Sequence, residues 1–294
     1  MGRASEALHD LTGRLDVRVV YADLDGTLLG PGGSLFAGPG GEVTTEPAAA
    51  VAALGEAGID LMLMSGRTAT QVREVARVLG AAGYIAELGG LAVHREGREE
   101  VVTRNNGSFR GPGTPFAAME RSGVAGVLLE SFPGRMEPHA PWAFLSRESS
   151  MLLRGNIDPT EAATALAQAG FGWLDLQDNG IIQSWPGRFP ALDPAIEEVH
   201  AYHLVPAGVS KRAGVALDRE RRGLAPDQCL AVGDSAADAG VAPEVGAVFL
   251  VANGAAAVRG LTMPANVHMT ERTHGLGFAD AVLPFTRRGG LERG

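Results

Sequence analysis

Cysteine is nearly absent. Cys229 is the single one in 294 residues, so no internal disulfide can form, and its place in the apolar run CLAVG marks a buried small hydrophobe rather than a nucleophile. Long apolar runs are missing as well. Nothing approaches the roughly 20 consecutive apolar residues that cross a bilayer, and the opening MGRASEALHDLTGRL holds no uninterrupted apolar stretch of signal-peptide length. A cytoplasmic protein is expected. Positive charge is in deficit: 25 Lys and Arg stand against 34 Asp and Glu, a formal charge of -9. Nucleic acid and anionic membranes are therefore poor partners.

What is present is a globular composition, 45% hydrophobic and 20% charged, over a length that suits two domains. Short apolar runs alternate with alanine-rich stretches, the rhythm of a parallel α/β sheet. VRVVYA (17–22) and IDLMLMS (59–65) read as strands, YIAEL (84–88) as a third, with helices expected over 44–58 and 68–80. From about 94 to 205 prolines, glycines and aromatics increase, and Trp142, Trp173 and Trp185 all fall there. DPTEAATALAQAG (158–170) reads as a helix capped by Asp158, with Pro159 first and Glu161 completing a capping box. SSMLLRG, FGWLDL and GIIQSW read as short strands around it. The α/β rhythm resumes near 206 with the helix KRAGVALDRERRG and the strands CLAVG and AVFLVA. The expected architecture is α/β: a Rossmann-like doubly wound parallel sheet core (1–93 and 206–294) interrupted by an inserted α+β cap domain (94–205).

Ligands of doubly wound sheets bind beyond the carboxyl ends of the strands. There the first strand delivers Asp23 and Asp25 in DLDGT, the second Ser65, and CLAVG runs into Asp234 and Asp238 in GDSAAD, while Lys211 opens the helix of the resumed segment. Carboxylates crowded together repel unless a cation sits among them, and hard oxygen ligands of this kind suit Mg²⁺ with a substrate phosphate. Asp25-Gly26 could also be a hairpin turn, and Ser65 a helix N-cap.

The set resembles the haloacid dehalogenase (HAD) superfamily of phosphohydrolases: DLDGT matches D-x-D-x-T, Ser65 the second motif, Lys211 the third, and GDSAAD the fourth, G-D-x-x-x-D. The insertion lies between motifs two and three, where type-two caps sit, and resembles the Cof-type and sugar-phosphatase branch. The resemblance implies a phosphatase acting on a small phosphomonoester, a sugar phosphate or phosphoglycerate-type metabolite. It implies Asp23 as nucleophile, Asp25 as general acid/base, and Mg²⁺ held by Asp23, the Asp25 carbonyl and Asp234. Ser65 and Lys211 would bind phosphoryl oxygens, with Thr27, Gly66, Arg67 and Asp238 in support. A phosphomutase or phosphotransferase using the same intermediate, and a non-catalytic metabolite-binding member, are the alternatives. Cap candidates for substrate contact are Arg147, Glu148, Arg154 and His203. The chain is expected to be a monomer or homodimer.

Two positions depart from the family pattern. Ala237 stands where Asn is frequent, and Leu88 where relatives often read E-N-G. Both remove a polar group near the site and bear on substrate placement more than on chemistry. GPGGSLFAGPGG (30–41) lacks the G-K-[ST] ending of a Walker loop and is expected to be a flap beside the site.

Overall fold

The computed structural model describes residues 10–97, 99–182 and 188–287. Twelve strands run through them. β1 (Val19–Asp23), β2 (Asp60–Met64), β3 (Gly83–Ala86), β4 (Leu91–Glu96) and β5 (Glu99–Arg104) precede β6 (Met136–Pro138), β7 (Met151–Gly155), β8 (Leu174–Ile182) and β9 (Val199–Pro206); β10 (Cys229–Gly233), β11 (Ala247–Leu250) and β12 (Val267–Met269) follow. The helices are α1 (Glu46–Glu56), α2 (Ala69–Leu79), α3 (Pro115–Ser122), α4 (Val124–Ser131), α5 (Pro159–Gln168), α6 (Lys211–Arg222), the single turn α7 (Ala236–Ala239) and α8 (His274–Thr286). None of these helices is long and apolar enough to cross a membrane.

An eight-stranded sheet has the order β12-β11-β10-β1-β2-β3-β4-β5. Strands β12 through β3 are parallel. All five residues of β1 are buried, because helices cover both faces, which is why the strand reads as an apolar run without alternation. Val20, Leu61, Leu63 and Val232 pack against Leu54 of α1, Val72 of α2 and Phe278 and Val282 of α8. On the other face Val19, Tyr21, Met62 and Ile85 pack against Val215 of α6.

The expected insertion starts inside this sheet. β4 pairs antiparallel with β3, and β5 with β4, so residues 94–96 and 99–104 extend the large sheet. The α/β rhythm fades at 94 because a hairpin, not a crossover helix, adds the next two strands. YIAEL also ends early as a strand: Glu87 and Leu88 take positive φ of 49° and 59° in a tight turn.

A four-stranded antiparallel sheet, β6-β7-β9-β8, lies over the carboxyl edge of the first. Along β9 the side chains alternate. Tyr202 and Leu204 pack with Leu153 and Leu176 against Met119, Leu128 and Leu166 of the covering helices, while Ala201 and His203 face a cavity. The register of β8 shifts between Asp178 and Ile181, a bulge of the kind that re-aims side chains next to sites, and Asn179 and Gly180 line the same cavity. Asp158 caps α5 by accepting from Thr160 N–H at 2.8 Å. Glu161 makes no capping box there; it pairs with Arg135 at 3.2 Å. The end of GIIQSW, with Trp185, lies outside the described residues.

Candidate active site

Four separate stretches of chain meet at the carboxyl edge of the large sheet. Asp23 ends β1 and is 5% exposed. Lys211, the sole lysine of the sequence, is placed as the first residue of α6, behind the Ser210 cap that accepts from Ala213 N–H. Its Nζ donates to Asp23 Oδ1 at 2.7 Å and to Asp238 Oδ1 at 2.8 Å. The other oxygen of Asp238 accepts from Asp234 N–H, Ser235 N–H and the Ser235 hydroxyl, at 3.2, 3.1 and 2.5 Å. Asp238 therefore ties Lys211 to the fourth motif, and Gly233 makes room for it: a Cβ there would lie 2.2 Å from Asp238 Cγ.

Asp234 is placed by a residue the sequence did not single out. Asn253, beyond β11, donates to the Gly26 carbonyl at 2.8 Å and to Asp234 Oδ2 at 3.3 Å, and accepts from His274 N–H at 2.9 Å. Its signal was position, at the carboxyl end of a parallel strand. Gly26 has φ +84°, and a Cβ on it would lie 2.2 Å from Asp234 Oδ2. The glycine of DLDGT thus belongs to the site and not to a hairpin.

Oxygens of Asp23, Asp234 and Asp238 lie within 4.8 Å of one another. Burial pushes the Asp23 carboxyl well above its usual range, Lys211 opposing and Asp238 and Asp234 adding to it. Asp234 is pushed up to about 7 by burial and Asp238, with Lys211 again opposing. Burial disfavours the Lys211 ammonium, yet Asp23 and Asp238 outweigh it and hold its pKa above the ordinary value. Three carboxylates share one ammonium. An all-oxygen donor set with uncompensated negative charge fits a hard divalent cation, and Asp23 and Asp234 are the side chains with capacity left for it, since both Asp238 oxygens are engaged.

Asp25 is more exposed and holds Arg67 in a fork, with Nε–Oδ2 at 2.7 Å and Nη2–Oδ1 at 2.5 Å. Ser65 is buried, and its Oγ accepts from Arg67 N–H at 3.1 Å. Thr27 is fully buried with no partner for its hydroxyl. Gly66 is the point where the two sheets press together: its carbonyl accepts from Arg147 Nη1 at 3.1 Å, and a Cβ on it would lie 2.5 Å from His203 Nε2 and 2.8 Å from Asn179 Nδ2.

A cavity of about 1040 Å³ opens here, lined on one side by Asp23, Asp25, Ser65, Arg67, Lys211 and Asp234 and on the other by His139, Arg147, Asn179, Arg188 and His203. Gly30 to Gly33 border it, the part of 30–41 that a flap would contribute. Glu148 and Arg154 do not reach it. Glu148 pairs with Arg104 at 2.7 Å. Arg154 sits in register opposite Glu137, donates to it from Nε at 2.6 Å and to the Ala140 carbonyl at 2.9 Å, and stacks on Phe189. A cross-strand partner claims the arginine before any ligand can. Glu87 anchors the second sheet, accepting from the N–H groups of Glu148, Ser149 and Ser150 at 2.9, 2.8 and 3.0 Å.

Residues 20–107 match the family model described as haloacid dehalogenase-like hydrolase. That stretch, which holds the first two of the four motifs, is thus similar to the haloacid dehalogenase-like hydrolases. Two relatives are named phosphoglycolate phosphatase. The one from Methanoculleus marisnigri is 28% identical over 241 residues, covering 82% of this chain and 88% of its own. The one from Methanospirillum hungatei is 25% identical, covering 84% and 88%. Among solved structures, the sucrose-phosphatase of Synechocystis, in complex with sucrose and phosphate, shares the fold with a TM-score of 0.60 at 15% identity, over 92% of this chain and 98% of that one.

Proposed function

We propose that this HAD-like hydrolase, of the Cof type, is a Mg²⁺-dependent phosphatase that hydrolyses a small phosphomonoester, a sugar phosphate or phosphoglycerate-type metabolite, in the cytoplasm. The large sheet is the core and the four-stranded sheet its cap. The observation that carries the proposal is the convergence of Asp23, Asp234 and Lys211 at one cavity that Ser65 also lines, with Asp238 bonded to Lys211 behind them.

A Asp23 oxygen attacks phosphorus as the ester P–O bond breaks, giving an aspartyl-phosphate. Asp25 gives its proton to the departing alkoxide, then takes one from the water that attacks phosphorus; inorganic phosphate leaves and Asp23 is regenerated. One carboxylate serves both steps, because the first leaves it in the state the second needs. To do so Asp25 must exchange Arg67 for substrate, which makes that fork a resting contact. Lys211 and Ser65 hold phosphoryl oxygens, and Asp238 keeps Lys211 aimed. Asp23, Asp234 and the Asp25 carbonyl would hold Mg²⁺, which would supply screening of the phosphoryl charge from the attacking carboxylate.

The test is phosphate release from an aryl phosphate with and without Mg²⁺. Turnover that needs the metal and disappears in Asp23→Asn is expected; turnover surviving that substitution would refute the mechanism.

A further inference from the structure

Arg147 is a buried cation without an anion. It is 5% exposed and lines the cavity. Its Nη1 donates to two neutral oxygens, the Gly66 carbonyl at 3.1 Å and Ser150 Oγ at 3.0 Å. Among the described residues Nε is buried with no acceptor, Nη2 donates to none, and Arg147 forms no ion pair. Glu87 is near enough to favour its charge, but the Glu87 oxygens are taken by the backbone of 148–150 and the Ser150 hydroxyl. Leaving a buried charge uncompensated costs several kcal/mol in an unliganded protein. The compensation is therefore to be sought in the ligand.

Two further cavity-lining residues are in the same condition: His139 Nδ1 and Asn179 Oδ1 are buried without partners. Burial and the neighbouring arginines hold His139 at about 4 and His203 well below its ordinary value, so both rings are neutral near pH 7. The charge Arg147 presents is then matched by a single negative charge. Its two idle nitrogens, Nε and Nη2, form the side of the guanidinium that grips a planar carboxylate with two parallel bonds. Because Nη1 is tied to the carbonyl adjoining Ser65, that carboxylate must sit close to the phosphoryl group.

We propose that Arg147 is the specificity-determining residue of this site, binding the carboxylate of a short phosphorylated hydroxy acid and so selecting such esters over neutral sugar phosphates. This rests on the phosphatase function proposed above and deepens it. Glu87 is a positioning residue, holding the loop that carries Arg147.

The experiment compares 2-phosphoglycolate with 2-hydroxyethyl phosphate, the same length without the acid, in wild type, Arg147→Gln and Arg147→Lys. Wild type should prefer the acid, and Arg147→Gln should lose about 100-fold in kcat/KM for it, as expected for a lost bidentate charged contact, while the neutral ester changes by less than about threefold. Arg147→Lys, which keeps the charge but not the fork, should fall between. Absence of a wild-type preference, or an equal fall for both esters at an unchanged melting temperature in either variant, would overturn the assignment. If wild type hydrolysed neither ester, the phosphatase function would fail instead. The assignment would then be decided by calorimetry with 3-phosphonopropionate: binding lost in Arg147→Gln upholds it, and binding retained overturns it.

Discussion

The wall of the cavity built by the eight-stranded sheet and the wall built by the four-stranded sheet are both polar and both buried, but they differ in how their groups are satisfied. On the first, Asp23, Lys211, Asp238, Asp234 and Asn253 form a continuous chain of hydrogen bonds that leaves Asp23 and Asp234 with capacity for a cation. On the second, Arg147 Nε, His139 Nδ1 and Asn179 Oδ1 have none. Groups tied to one another in this way can be held rigid before substrate arrives, as catalysis requires of groups that must be aimed. Groups left open are completed by whatever the cavity admits, as selection requires. The contrast assigns chemistry to the large sheet and recognition to the small one.

The largest effect expected from breaking the first wall is Asp23→Asn, a loss of more than about 1,000-fold in kcat with any ester, since no second nucleophile stands in its place. Lys211→Met should follow: it leaves Asp23 and Asp238 buried without their cation, and removing one partner of a buried pair costs about 3–5 kcal/mol. Thermal melting should show that loss, with more of it recovered by Mg²⁺ than in wild type because the metal then becomes the only cation among the carboxylates.

Gly66→Ala tests the seam between the walls. Its Cβ would enter the space of His203 and Asn179, forcing the two sheets apart near Ser65, and misplacement on the scale of about 1 Å costs as much as 100-fold in rate. The fall should appear with acid and neutral esters alike, unlike that of Arg147→Gln.

A smaller effect distinguishes the second wall by pH. His139 and His203 are kept neutral in the folded protein, whereas the unfolded chain binds their protons near pH 6.5. Below that value the unfolded state carries more protons than the folded one, so stability is full above about pH 6.5 and declines as pH falls toward about 4. Denaturant titrations at stepped pH should show this slope, and His139→Gln should flatten it. An unchanged slope would mean that His139 is charged in the fold. Smallest of all, Glu148→Gln should alter kcat/KM by less than about twofold and stability by under about 1 kcal/mol, as for other exposed pairs, because Glu148 faces Arg104 and not the cavity.

The same contrast explains what could be read from the sequence. Residues on the first wall stand at the ends of buried parallel strands, where an apolar run breaks into Asp or Ser, and the strand-end rule locates them without coordinates. Asn253, beyond the end of β11, obeys the same rule. The second wall has no such marker. Whether Arg147 or Arg154 reaches the cavity depends on which arginine has a carboxylate opposite it in the sheet, and Glu137 lies 17 positions before Arg154, across a pairing that local pattern does not reveal. Likewise the change in composition at 94 puts the end of β4 and all of β5 with the insertion, although β4 pairs with β3 and β5 with β4.

The central claim is that Asp23 carries the phosphoryl group. Rapid acid quench of the enzyme with Mg²⁺ and substrate, followed by borohydride reduction and peptide mapping, tests it most directly. An acyl-phosphate confined to Asp23 and missing from Asp23→Asn is the predicted result. Turnover with no phosphoryl group on the protein, or with one on any other residue, would contradict it.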